Sequence, residues 1–163
     1  MVIGAGPTGL VSALTFAKAG YEIVVIDPVD RVGNASSENS DGIQDRRTTA
    51  HLTPTVKFLE ELGIWNEICQ NACALERLVI IEDTSQNLIS NRQRKTVFDP
   101  SELGSQNFGY NVPIRDNLEG LVKLAKANSN ITLVFGHGLQ KVVRDNKSVF
   151  GILTDGATIE AKL

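Results

Sequence analysis

Met1-Val2-Ile3-Gly4-Ala5-Gly6-Pro7-Thr8-Gly9 opens the chain, and its reading decides the fold. An apolar run enters a glycine-rich turn, and Gly4-x-Gly6-x-x-Gly9 leads straight into a helical pattern. Pro7 suits the first turn of a helix, where its missing N–H would have had no partner. Leu10, Ala13, Leu14 and Ala17 then recur at helical spacing, and Gly20 supplies a stop. Ile23-Val24-Val25-Ile26 is a continuous β-branched run, as expected of a parallel strand covered on both faces, and it ends on Asp27. Together these segments predict a β–α–β unit from Val2 to Asp27. The strand that feeds the turn has only three residues, which raises the expectation that the chain is short at its front.

Each glycine of such a turn has a physical job: one for the tight turn, one for close approach of a pyrophosphate, one for tight contact between helix and strand. The helix that follows offers unpaired N–H groups and a positive dipole end to that pyrophosphate. Ala13 and Ala17 keep the helix face smooth against the sheet. An acidic side chain at the end of the second strand, here Asp27, can accept hydrogen bonds from both hydroxyls of an adenosine ribose and would repel a 2′-phosphate.

Outward from this unit the chain is less regular. Residues 28–45 are rich in Asn, Ser, Asp and Gly and read as a long loop, closed by Arg46-Arg47. Thr53-Pro54 reads as an N-cap followed by proline at the first helical position, with Phe58, Leu59 and Leu62 as the apolar stripe and Gly63 as the end. A shorter helix is expected around Trp65 to Cys69, with Trp65 in the core. Leu78-Val79-Ile80-Ile81 reads as a strand, and weaker strand signals near Leu88-Ile89 and Thr96-Val97-Phe98 point to part of an antiparallel sheet. Asp116 is expected to cap a helix carrying Leu118, Leu121, Val122, Leu124 and Ala125. Ile131 to Phe135 is a strand, Leu139–Val143 and Ser148–Thr154 a hairpin through Asp145-Asn146-Lys147, and Thr158–Leu163 a last strand.

Bulk properties exclude several classes. The 163 residues carry a net charge of −3 and are 42% hydrophobic, ordinary values for a globular chain without the basic excess of a nucleic-acid binder. No apolar run approaches the ~18 residues of a transmembrane span, and the apolar N-terminus is accounted for by strand and helix rather than a signal peptide. Cys69 and Cys73 stand four apart without nearby histidines, which is not a metal set. They read as small buried hydrophobes in a reducing, cytoplasmic compartment. His51 reads as a surface or packing residue and His137, between Gly136 and Gly138, as a turn residue. No metal ligand and no catalytic acid or base is assigned.

The full spacing from Gly4 through Gly6, Gly9, Ala13, Ala17, Gly20 and Ile23 to Asp27 resembles the FAD-binding fingerprint of flavoproteins with two dinucleotide-binding regions. Asp27 stands where that family usually has Glu. Asp45-Arg46-Arg47-Thr48-Thr49-Ala50, with Val56 to Trp65, resembles the corresponding region of the ubiquinone-biosynthesis hydroxylases, aromatic-ring monooxygenases of the p-hydroxybenzoate hydroxylase type. Gly109 to Leu118 sits where that family has a strand leading into an FAD-contacting helix.

The resemblance implies an α/β fold: a Rossmann-like FAD-binding domain with a βαβ start and mixed sheet, over residues 1–163. Part of an inserted antiparallel substrate-domain sheet is expected at 73–112. It implies FAD as cofactor, NAD(P)H as reductant and a small aromatic substrate hydroxylated with O₂. Peripheral membrane association is compatible with it, and it implies no oligomeric state. Gly4, Gly6, Pro7 and Gly9 would cradle the FAD pyrophosphate, Asp27 would hold the ribose, and Arg47 would approach the flavin and its phosphates. Arg115 would contact the cofactor at the next helix start. A guanidinium forks onto phosphate oxygens and keeps its charge. The family's second FAD motif, an Asp-Gly pair, lies beyond a strand like Thr158–Leu163, so the sequence is expected to be the front portion of such an enzyme. Two other readings stand beside this one: a truncated, non-catalytic nucleotide-binding module, and an NAD-dependent oxidoreductase. The excursion over residues 28–130, in place of regular βαβ units, speaks against the latter.

Overall fold

The computed structural model describes residues 1–30, 46–82 and 94–162. Strand β1 (Val2–Ile3) enters the glycine turn, helix α1 (Pro7–Lys18) leaves it, and strand β2 (Ile23–Asp27) returns beside β1 in parallel, Val2 opposite Val25 and Ile3 opposite Ile26. Leu10, Ala13 and Ala17 are the buried face of α1, so the small residues predicted to lie on the sheet do so. Gly20, at φ +91°, ends the helix with its N–H on the Ala17 carbonyl at 2.9 Å. Of the loop expected over residues 28–45, residues 31–45 lie outside the described residues.

The chain resumes with a strand that the sequence reading did not contain, β3 (Thr48–Leu52), followed by α2 (Thr53–Leu62) and the short α3 (Trp65–Ile68). Thr53 is not the N-cap: Leu52 is, and Thr53 is already helical. The cause is tertiary. β3 pairs as far as Leu52 opposite Gly109, and the Thr53 N–H bonds to the Phe108 carbonyl at 3.0 Å, which draws the helix start one residue forward. Gly63 closes α2 in the left-handed region at φ +78°, as expected.

Next come β4 (Cys73–Ala74), β5 (Leu78–Glu82) and β6 (Arg94–Phe98), then a short 3₁₀ turn (Pro100–Leu103), β7 (Gly109–Pro113) and α4 (Ile114–Ala127). The strand signal at Leu88-Ile89 lies outside the described residues. Asp116 does not cap α4; Pro113 holds that position, and the Asp116 carboxylate instead accepts from Asn71 Nδ2 at 2.7 Å. Nor are the cysteines fully buried. Cys69 ends α3 half-buried, Cys73 is exposed on β4, and both are free thiols. The chain closes with β8 (Ile131–Phe135), β9 (Leu139–Arg144), β10 (Ser148–Leu153) and β11 (Thr158–Lys162).

β8 adds in parallel to the free edge of β2, giving the order β1-β2-β8, while β3-β7-β4 and β11-β10-β9 are antiparallel. The result is the mixed α/β fold with a Rossmann-like start expected from the sequence. The β9–β10 hairpin turns where predicted because Asp145 Oδ1 accepts the N–H groups of Lys147 and Ser148, each at 2.7 Å. One core runs from α1 and β2 through α3 and β7 to α4, and Leu10, Val25, Ile68, Val112 and Leu121 are fully buried in it. Among the described residues β5 and β6 pair only with each other and leave Leu78, Val79, Ile80, Ile81, Val97 and Phe98 exposed. Successive strand residues point to opposite sides, so this ribbon presents apolar surface on both faces. Among the described residues no helix is long and apolar enough to cross a membrane.

Candidate functional site

The glycine turn is built by sterics. Gly4 takes φ +97° and donates its N–H to the Ile26 carbonyl at 2.7 Å, which pins the turn to β2. At Gly9 there is no room for a side chain: a Cβ would stand 1.9 Å from the Gly4 carbonyl oxygen. Helix and strand therefore approach each other there as closely as backbone allows. At Gly6 the reverse holds, and a Cβ would meet nothing within 4 Å. Gly6 is the N-cap of α1, with no side-chain cap bond, no acidic residue in the first turn and Pro7 directly after it. The open ground above Gly6 thus faces a 12-residue helix's positive end, whose N-cap residue brings no side-chain bond to the first N–H groups. That is the donor set and the space an anionic diphosphate needs.

Asp27 does more than sequence spacing indicated. It is 3% exposed, and its Oδ2 accepts the Ala5 N–H at 2.7 Å while Oδ1 accepts the Val29 N–H at 2.8 Å. The carboxylate ties the end of β2 to the turn itself.

Arg47 and Arg115 meet at a second place, the junction where β3 and α4 begin. The Arg47 carbonyl accepts the Ile114 N–H at 3.0 Å, which sets Arg47 beside the residue preceding Arg115. Arg47 and its neighbour Arg46 are exposed. Arg115 is engaged on its own helix: its Nε donates to Glu119 Oε1 at 2.7 Å, and that hydrogen bond and the carboxylate's charge hold the guanidinium above its ordinary pKa. Gly4, Gly6, Pro7, Gly9 and Asp27 form one group and Arg47 and Arg115 another. The two groups belong to one body because α1 packs against α4.

Between them lies a buried polar contact missing from the sequence reading. His51 Nε2 and Asn117 Nδ2 are 2.8 Å apart, on β3 and α4. The imidazole stands edge-on to Trp65, with ring centres 6.1 Å apart, and Trp65 leans on Tyr110 at 5.5 Å. Burial lowers the His51 pKa from its ordinary value, with the bond to Asn117 opposing in part. No spacing rule joins two residues 66 positions apart; only the register of β3 on β7, with His51 opposite Tyr110, brings the ring inward. His137, in its turn, pairs with Asp155 at 3.1 Å on the surface. A cavity of about 310 Å³ lies at the other end of α1, lined by Leu14, Lys18, Leu62 and Leu124 among others, and so is separate from the turn.

A family model described as an FAD binding domain matches residues 1–163. The monooxygenase CTB7 of Cercospora beticola is 24% identical over 157 residues, 95% of this chain and 34% of that protein. The p-nitrophenol 4-monooxygenase PnpA of Pseudomonas putida has a similar structure, with a TM-score of 0.73 at 20% identity over 99% of this chain and 38% of that one. HpxO of Klebsiella pneumoniae, solved with FAD and uric acid, gives a TM-score of 0.68 at 21% identity over 99% of this chain and 36% of its own. The structural likenesses establish the fold, and the chain spans little more than a third of these relatives' length.

Proposed function

The chain belongs to the FAD-binding domain family, and on that premise we propose that it is the cofactor-holding portion of an FAD-dependent monooxygenase that hydroxylates an aromatic ring. The observation that carries this is the glycine turn. Gly9 is closed by the Gly4 carbonyl, Gly6 is open, the helix end behind it is uncapped, and Asp27 is bonded to the same turn. In this reading Gly4, Gly6, Pro7 and Gly9 cradle the pyrophosphate through backbone N–H groups. Asp27 takes the ribose hydroxyls, and Arg47 and Arg115 serve the phosphates and flavin from the β3–α4 junction. FAD, when bound, supplies the redox chemistry; the chain's residues grip and orient it.

The finer parts of the reading rest on the sequence resemblance. Residues 45–50 and 56–65 favour an aromatic substrate of the ubiquinone-precursor kind, with NAD(P)H as reductant. The names of two structural relatives, which mention p-nitrophenol and uric acid, support a planar ring compound as substrate class. The two-sided apolar ribbon β5–β6 fits the proposal that residues 73–112 include the first strands of a substrate domain. A cytoplasmic location, free or at a membrane surface, completes the reading.

The direct test is to titrate the purified chain with FAD and with ADP, following the bound-flavin absorption spectrum and thermal unfolding. A yellow complex and a raised unfolding temperature are expected. Absence of both overturns cofactor binding. Hydroxylation is then tested in the full-length protein with NAD(P)H, O₂ and phenolic substrates.

A further inference from the structure

The cofactor reading leaves His51 and Asn117 without a role, yet they are among the most costly residues in the core. Asn117 is 1% exposed, and its Oδ1 has no hydrogen-bond partner among the described residues. An apolar pair of similar shape would close β3 against α4 without a buried oxygen left unpaired. Their position supplies a reason to keep them. β3 and α4 are fastened twice, by the Arg47 carbonyl on the Ile114 N–H and, one helical turn further in, by His51 on Asn117. The first fastener fixes where α4 starts; the second fixes its rotation. Arg115 precedes Asn117 by two residues, roughly 200° around the helix, so drawing Asn117 inward turns Arg115 outward.

We propose that His51 and Asn117 are a positioning pair for the cofactor: the neutral imidazole accepts the Asn117 amide N–H, and this bond orients the β3–α4 junction so that Arg47 and Arg115 face the FAD phosphates. The inference rests on the reading that these two arginines contact FAD. Protonation removes the acceptor, because Nε2 then carries hydrogen. The amide must turn over to present Oδ1, and its NH₂ loses the His51 partner in the same dry place. Burial already disfavours the imidazolium. The charged neighbours are engaged or turned away. Glu67 holds Lys123, Asp116 holds Asn71, and Arg115 and Glu119 hold each other. Lys57, Glu60 and Glu61 on α2 are exposed, and Tyr110 stands opposite His51 on β7. His51 is the one imidazole of this set, and histidine is the side chain whose ordinary value lies nearest neutrality. FAD affinity therefore falls as His51 takes up its proton.

The test is isothermal titration of FAD into the chain from about pH 7.5 to about pH 5.5, spanning the ordinary histidine value. Wild-type affinity is expected to fall roughly fivefold across this range, the lower end of usual site-to-site coupling. Asn117→Leu removes the amide and its unpaired oxygen. It should bind FAD at the weaker, acid-limit affinity at every pH, giving a flat profile. Asn117→Asp offers a carboxylate to the imidazolium and should hold affinity at acid pH, which keeps the test usable if Asn117→Leu does not fold. A merely structural pair would shift unfolding temperature and leave the pH profile alone. A flat wild-type profile, or one that persists in both variants, overturns the proposal. Arg47→Met separates the two layers. If its affinity is unchanged, the arginine reading itself fails; if it weakens while Asn117→Leu keeps the wild-type profile, only the positioning pair fails.

Discussion

Between Val2 and Asp27 neighbouring segments fold onto one another, and backbone atoms make the decisive contacts. At the β3–α4 junction residues 66 positions apart meet, and side chains decide. The first region works by space: a helix end, a carbonyl that forbids a Cβ at Gly9, and open ground at Gly6. The second works by charge and hydrogen-bond direction: two arginines, and an imidazole that can be acceptor or donor. A backbone site tolerates no change of shape and ignores pH. A side-chain site tolerates shape changes and answers to pH and salt.

The largest expected effects separate shape from ligand contact. Gly9→Ala places a Cβ 1.9 Å from the Gly4 carbonyl oxygen, and Gly109→Ala, at φ +141°, places one 2.0 Å from the His51 carbonyl oxygen. Each should cost about 3 kcal/mol or more in chemical denaturation, since backbone must move. Gly6→Ala meets nothing within 4 Å, so its stability should stay within about 0.5 kcal/mol of wild type while FAD binding is lost. Equal destabilisation by Gly6→Ala and Gly9→Ala would erase the distinction between the two glycines.

Asp27→Ala comes next. It removes the acceptor of the buried Ala5 N–H and of the Val29 N–H, so a cost of about 1–3 kcal/mol in urea unfolding is expected together with weaker FAD binding. A ribose-binding role alone implies weaker binding with the fold unaffected; the bonds to Ala5 and Val29 add the stability loss. Weakened binding with unchanged stability would return Asp27 to a purely ligand-facing role.

These two regions also mark what was legible in the chain. The βαβ unit could be read because sterics tie residue type to position locally: only glycine fits at Gly9, and only small residues let α1 lie on the sheet at Ala13 and Ala17. The Asp145 hairpin was legible for the same reason. β3 was not, because Thr48–Leu52 has no strand pattern of its own; pairing with β7 makes it a strand, and the same pairing moves the α2 start off Thr53. The partner of β8 and the depth of His51 follow from register, which a single sequence does not display. Both arginines could be named, but their meeting through Ile114 could not.

A smaller effect appears in the pH dependence of stability. The His51 pKa is lowered in the folded state, so the unfolded chain takes the proton first as pH falls. The contribution is whole above about 6.5, the ordinary histidine value, shrinks as pH falls toward the lowered value, and then levels off. Asp99, held below its ordinary value by Ser101, and Asp145, held there by the Lys147 and Ser148 N–H groups, keep their contributions above that value and lose them only at more acid pH, outside this window. Urea unfolding of wild type should therefore weaken from about pH 7 to about pH 5.5, and His51→Gln should remove that slope. An unchanged slope in His51→Gln would mean that the imidazole is not the group titrating.

The smallest effect tests whether Arg115 belongs to the site. Its ion pair with Glu119 is exposed on both sides, so Arg115→Met should leave thermal unfolding unchanged. If the guanidinium turns from Glu119 to a phosphate when FAD binds, the two partners must act with opposite sign. Arg115→Met should weaken FAD roughly twofold to fivefold, the scale of an exposed charge contact. Glu119→Gln, which frees the guanidinium beforehand, should tighten it. Both differences should fade at high salt, where exposed charges are screened, whereas the loss in Gly6→Ala should not. Equal, same-sign responses to Arg115→Met and Glu119→Gln would make the pair a helix-surface contact and leave Arg47 as the junction's only cofactor arginine.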